Sequence, residues 1–123
     1  MKDHTTFGKK GEEIAREILA NKGLSIVKTN WQYKHKEIDI IAENKDFIII
    51  VEVKTRSGPI KQNLQEIITR KKQKFLIEAA NAYIKEVNSD KEIRFDVILI
   101  IYLYNKTQIE HIENAFSPQV RNY

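Results

Sequence analysis

Apolar residues near the start of the chain recur at helical spacing, with Ile14, Ala15, Ile18 and Leu19 falling on one face. The pattern predicts a helix over residues 6–22, capped by Thr5 or Thr6. It should stop at Gly23, which can take the left-handed conformation at a helix C-terminus without steric cost. Residues 24–29, with Leu24, Ile26 and Val27, read as a strand that leads into Asn30 and Trp31. Two β-rich runs follow, 37–43 and 47–55, separated by Asn44-Lys45-Asp46, which predicts an antiparallel hairpin. The second run, FIIIVEVKT, is apolar on both faces until its end, as expected of an interior strand covered from both sides.

Residues 56–65 contain Ser57-Gly58-Pro59 and show no period, so an exposed loop is expected there. Thr69 is placed to cap a second helix ending near Val87, with Phe75, Leu76, Ala79, Ala80, Tyr83, Ile84 and Val87 as its apolar stripe. Asn88-Ser89-Asp90 ends that helix. Residues 93–103 form another long apolar strand, a turn falls near Asn105-Lys106, and 108–112 make a last strand. The whole reads as one α/β domain over residues 1–116 with a loose tail at 117–123.

Alternation along the central hairpin isolates the candidate chemistry. Ile48, Ile50, Glu52 and Lys54 share one face of their strand, while Phe47, Ile49, Val51 and Val53 share the other. With a two-residue turn, Glu43 pairs with Asp46, and Asp39 falls opposite Ile50 on the face of Glu52 and Lys54. A three-residue turn would send Asp39 to the other side. On the first register Ile41 and Ile48 fill one end of the face, and Asp39, Glu52 and Lys54 gather at the other, beside Glu37. Two close carboxylates repel, and burial of an unpaired charge costs several kcal/mol, so the cluster calls for a cation, the lysine, or both. Mg²⁺ or Mn²⁺ bound by Asp39 and Glu52 satisfies that need with hard oxygen ligands, and Lys54 is placed to orient a water or stabilise charge on a phosphate. On the first helix Glu12 flanks the buried face whereas Glu13 points away, so Glu12 is the carboxylate able to join the site.

Composition narrows the setting. The 123 residues include no cysteine, which removes disulfides and thiolate metal sites and suits a reducing, cytoplasmic compartment. The opening residues are polar, with no signal peptide expected, and the longest apolar runs are too short to cross a bilayer. A net charge of +4 fits a polyanionic partner, although 17 acidic residues are mixed with 21 basic ones. Lys36, Arg56, Arg70, Lys71 and Lys72 lie close in sequence to the hairpin and the second helix and are candidate nucleic-acid contacts; Trp31 and Tyr33 read equally as candidates for stacking or as partly buried aromatics at a turn. His4, His35 and His111 show no ligand spacing and read as surface residues.

The series Gly8, Gly11-Glu12-Glu13, Gly23, Asn30, Glu37-Ile38-Asp39, Val51-Glu52-Val53-Lys54-Thr55-Arg56, Arg94-Phe95-Asp96-Val97 and Ile112-Glu113-Asn114-Ala115-Phe116 resembles the YraN-like family of bacterial proteins. That family is similar to the restriction-endonuclease-like superfamily, with its Holliday-junction resolvases. The resemblance implies a three-layer core with a mixed central sheet of about five strands flanked by helices. It implies a metal-dependent nuclease acting on DNA, including branched or damaged DNA. Glu12 would be the helix acid, Asp39 the hairpin aspartate, Glu52 and Lys54 the Glu-x-Lys pair, and the Val53 carbonyl a further metal ligand. The resemblance alone points to a homodimer. Lys36, where the family usually has glycine, and the loop after Arg56, without paired glycines, depart from the pattern. Two rival readings use the same residues: a non-catalytic nucleic-acid-binding module, and an interaction protein in which Lys54 is internally paired with Asp39 or Glu52.

Overall fold

A computed structural model describes residues 2–118, with side chains from residue 8 onward. Helix α1 (Lys2–Asn21) is already formed at Lys2, so Thr5 and Thr6 lie inside it instead of capping it. No glycine or proline among these first residues interrupts the turn. Its C-terminus follows expectation. Gly23 has φ +87°, its N–H donates to the Ala20 carbonyl at 2.9 Å, and the Leu24 N–H donates to Leu19 at 3.1 Å, the paired bonds of a Schellman end.

The chain then forms β1 (Ser25–Tyr33), β2 (Lys36–Glu43) and β3 (Phe47–Ser57), crosses through a one-turn helix α2 (Leu64–Ile67) and the long helix α3 (Arg70–Val87), and returns as β4 (Glu92–Leu103) and β5 (Lys106–Phe116). The five strands lie in the order β1-β2-β3-β4-β5. β3 and β4 are parallel, as the crossover requires, and the other neighbours are antiparallel. This is the expected α/β architecture with a mixed sheet. One part of the expected loop is a helical turn, because Asn63 and Glu66 form a reciprocal capping box before it.

Two apolar clusters sandwich the sheet. Ala15 and Leu19 of α1 pack on Ile40, Ala42, Ile49, Val51, Ile98 and Ile100. Leu76, Ala79, Ala80 and Tyr83 of α3 pack on Ile38, Ile41, Ile48, Ile50, Phe95 and Val97 from the other side. Helices therefore cover both faces of β3 and β4, which explains why those strands read as continuous aliphatic runs. Thr69 caps α3 by accepting the Lys72 N–H at 3.2 Å. Val87, expected in the apolar stripe, is exposed at the last turn of the helix. Among the described residues no helix is long and apolar enough to cross a membrane. Residues 119–123 of the expected tail lie outside the described residues.

Candidate metal and phosphate site

The hairpin register differs from the expected one by two residues. Glu43 pairs with Ile48 rather than Asp46, and Ile41 pairs with Ile50. Asn44 accounts for the shift: its side chain accepts the N–H groups of Asp46 and Phe47 at 2.9 and 2.8 Å, which moves the tight turn onto Lys45-Asp46. A shift of two preserves the faces, so Ile41 and Ile48 still pack on the α3 side.

The β2–β3 ladder runs only as far as Ile40–Val51. Beyond it the alternation of β2 slips, because Ile38 packs towards α3 while Ile40 packs towards α1. Across from this point on β1, Asn30 has a left-handed backbone, φ +50°. Asp39 sits at the slip. Its Oδ2 accepts the Val53 N–H at 2.8 Å, so the carboxylate takes the hydrogen bond that a continuing ladder would have supplied. Burial, then the charge of Glu52, pushes the Asp39 carboxyl up to about 8, with the Val53 amide and Lys72 pulling the other way.

Glu52 is buried, 4% exposed, on the α3 face of β3. Its Oε2 is 3.3 Å from Lys54 Nζ and 3.6 Å from Lys72 Nζ. Its Oε1 is buried with no hydrogen-bond partner. Lys72 stands on the first turn of α3, so two lysines from different elements meet one carboxylate oxygen and leave the other unsatisfied.

Glu12 approaches from α1, on the other side of the sheet. The helix comes close to β3 there because residue 11 is glycine, and a Cβ at that position would overlap Thr55 Cγ2. Asn30 Nδ2 donates to Glu12 Oε1 at 3.4 Å. Burial raises the Glu12 pKa first, the Asn30 bond and Arg16 oppose that, and Glu37 and Glu52 add to it. Glu13 is exposed. Thus Glu12, Asp39 and Glu52 share one electrostatic neighbourhood at the point where β2 and β3 part, with Lys54 and Lys72 on its α3 side.

Among the described residues no group of three or more histidine, aspartate or glutamate side chains is close enough to hold a metal by itself. Asp39 and Glu52 with the Val53 carbonyl would make a different kind of donor set, one that would leave positions for water and phosphate oxygen as Mg²⁺ commonly requires. The unsatisfied Glu52 Oε1 and the raised Asp39 pKa both fit a cation there: each marks negative charge the protein has not fully compensated.

The remaining candidates spread outward. Lys36 is exposed at the start of β2, with its ammonium 5.6 Å from the centre of the Phe75 ring. Arg56 is half-buried beyond Lys54, its guanidinium donating to the Thr55 carbonyl at 2.8 Å. Arg70 and Lys71 are exposed on the first turn of α3, and neither is brought to the carboxylates.

A second polar cluster falls outside the expectations from sequence. Asp96, 1% exposed, accepts two bonds from Arg94 at 2.9 Å, one from the Asn114 N–H at 3.0 Å, and contacts His111 Nε2 at 2.8 Å. His111 is therefore not a surface histidine. Its other ring nitrogen faces Lys22 Nζ at 2.8 Å. An ammonium can only donate, so Nδ1 accepts and Nε2 carries the proton donated to Asp96. Through Lys22 the cluster ties the turn after α1 to β4 and β5.

Comparison with known proteins places the chain. Residues 11–100 match the model of the uncharacterised protein family UPF0102. A UPF0102 protein of Christiangramia forsetii is 44% identical over 116 residues, covering 94% of this chain and 98% of the relative. One from Phocaeicola vulgatus is 40% identical over 120 residues, covering 98% and 99%, and one from Flavobacterium psychrophilum is 41% identical over 116 residues, covering 94% and 98%. From Gly11 through the hairpin and α3 to Ile100, and at full length in these relatives, this chain belongs to UPF0102, the YraN-like family that its motifs resemble.

Proposed function

We propose that the protein is a Mg²⁺- or Mn²⁺-dependent nuclease that hydrolyses phosphodiester bonds in DNA. The observation that carries this reading is a buried Glu52 with one oxygen unpartnered, beside Asp39 anchored on the Val53 amide, with Lys54 on the same strand. Asp39, Glu52 and the Val53 carbonyl would hold the cation. When bound, such an ion supplies Lewis acidity to a phosphate oxygen and lowers the pKa of bound water.

The side chains have separate tasks. The Val53 N–H fixes one Asp39 oxygen at 2.8 Å and so orients the other. Lys54 places a positive charge next to Glu52, where it can stabilise the oxygens of a pentacoordinate phosphate or orient the attacking water. Glu12, with its raised pKa, is suited to hold or pass a proton at the rim. In the net reaction water adds to phosphorus, the P–O bond to the leaving sugar oxygen breaks, and that oxygen takes a proton.

The test is incubation of purified protein and Mg²⁺ or Mn²⁺ with linear, nicked and branched DNA. Cleavage of at least one substrate is expected. Lys54→Ala should lose it by roughly a hundredfold or more while keeping its circular-dichroism spectrum and melting behaviour. Equal cutting by that variant removes Lys54 from the mechanism.

One observation favours a second reading, a nucleic-acid-binding module without catalysis. Glu52 Oε2 is already paired with two lysines. Salt-sensitive DNA binding with no metal uptake and no cleavage product would select that alternative.

A further inference from the structure

A row of lysines beside the site rests on aromatic rings. Lys34 Nζ lies 5.3 Å from the centre of the Tyr33 ring. Lys36 Nζ and Lys72 Nζ lie 5.6 and 5.5 Å from the centre of the same Phe75 ring. The rings in turn hold one another: Trp31 stacks on Tyr33 with centroids 6.4 Å apart and planes 9° from parallel, and Tyr33 meets Phe75 at 5.9 Å. This ridge links the β1–β2 turn to the start of α3. Its inner end is Lys72, which reaches Glu52 at 3.6 Å.

Exposed lysines usually wander, and fixing one costs rotamer entropy. Here cation–π contacts offset part of that cost and hold the three ammonium groups along the ridge. The same contacts occupy the rings. Phe75 carries a lysine twice, Tyr33 contacts both Lys34 and Trp31, and Trp31 also meets Tyr83 at 5.4 Å in a T-shaped pair. A stacked base needs an open ring face, so these contacts favour Trp31 and Tyr33 as supports for the lysines over Trp31 and Tyr33 as platforms for bases.

We infer that this strip, Lys34, Lys36 and Lys72 on the Tyr33–Phe75 ridge, receives the phosphodiester backbone of a nucleic acid independently of base sequence and leads it to Glu52. The inference rests on the nuclease reading for its direction, since the strip ends at the carboxylates. It names the feature recognised there: phosphate spacing along a backbone.

Binding without cleavage isolates it. Two labelled DNA duplexes of unrelated sequence are titrated with the full chain in EDTA and followed by fluorescence anisotropy. Lys34→Ala and Lys36→Ala should each weaken both duplexes alike, by about threefold to tenfold at low salt, and each should lower the slope of log K against log salt by roughly 0.9. Phe75→Leu keeps every charge and should weaken binding as well, because the lysines lose their seat. Trp31, the one tryptophan of the chain, should show little quenching on binding.

Unchanged affinity in a Lys34→Ala/Lys36→Ala double variant overturns the strip, as does unequal loss between the two duplexes, strong quenching of Trp31, or failure of the wild-type chain to bind at low salt. A parallel assay with Mg²⁺ separates this from the nuclease reading. A double variant that binds and cuts normally removes the strip alone, whereas a wild type that binds through the strip but never cuts removes the nuclease alone.

Discussion

Asp39 holds its proton up to a pH of about 8 because burial and the Glu52 carboxylate both oppose its charge. The sign of the resulting pH dependence follows from the proton count. In the unfolded chain an aspartate ionises near pH 3.9, so between that pH and about 8 the unfolded state binds fewer protons than the folded one, and stability falls as pH rises. Asp39→Asn keeps an acceptor for the Val53 amide and removes the titration. In EDTA the variant should match wild type near pH 4 and exceed it by about 1–3 kcal/mol at pH 8 in urea unfolding, since each pKa unit is worth about 1.4 kcal/mol before the site relaxes. A wild-type curve flat over that interval would show that the carboxylate is not strained. Asp96 behaves in the opposite sense. Hydrogen bonds from His111, Arg94 and Asn114 overcome its burial and lower its pKa, so its contribution is present above the unfolded value and lost as pH falls through the lower folded one. Asp96→Asn should cost about 2–4 kcal/mol at pH 7, read as a shifted urea midpoint, because Arg94 is left without its bidentate partner. Of these residues Glu52 and Lys54 are readable together from the alternation of β3, whereas Asp39 is not grouped with them by alternation, because β2 slips at that residue and the hairpin register differs by two. The roles of Asn30, Lys72 and His111 are not readable that way. Their partners are 18, 20 and 15 residues distant in sequence or more, on other elements, and no local period connects them.

Elements with a buried stripe are legible in the sequence, and those whose form depends on one side chain are not. α3 and the β3 and β4 strands follow directly from their apolar patterns. The tight turn shifts because the Asn44 side chain bonds two amides. The edge strands β1 and β5 run longer than expected, since an edge exposed to water shows little apolar alternation even where its backbone pairs. The approach of α1 to β3 makes a sharper prediction. In an ordinary helix interior Gly→Ala stabilises by about 1 kcal/mol. At Gly11 the new methyl meets Thr55 Cγ2, so Gly11→Ala should instead destabilise by about 1–3 kcal/mol and displace the neighbouring Glu12. Adding Thr55→Ser removes the obstructing methyl and should recover most of the loss in thermal unfolding. Destabilisation that persists in the double variant would locate the strain elsewhere.

At the scale of the whole molecule, the sheet brings the two covering helices to one opening. α1 delivers Glu12 from one face, within electrostatic reach of Asp39 and Glu52, and α3 delivers Lys72 from the other to pair with Glu52, beside the point where the β2–β3 ladder stops. Net charge alone says little at +4, but its arrangement is informative: three lysines line one approach to the only described carboxylate whose buried oxygen lacks a partner. That oxygen is where the metal proposal is most exposed to disproof. Crystals grown with Mn²⁺ at pH 8 and measured for anomalous scattering should show a peak about 2.1 Å from carboxylate oxygens of both Asp39 and Glu52. Absence of any peak there, with Glu52 still paired to Lys54 and Lys72, would contradict it.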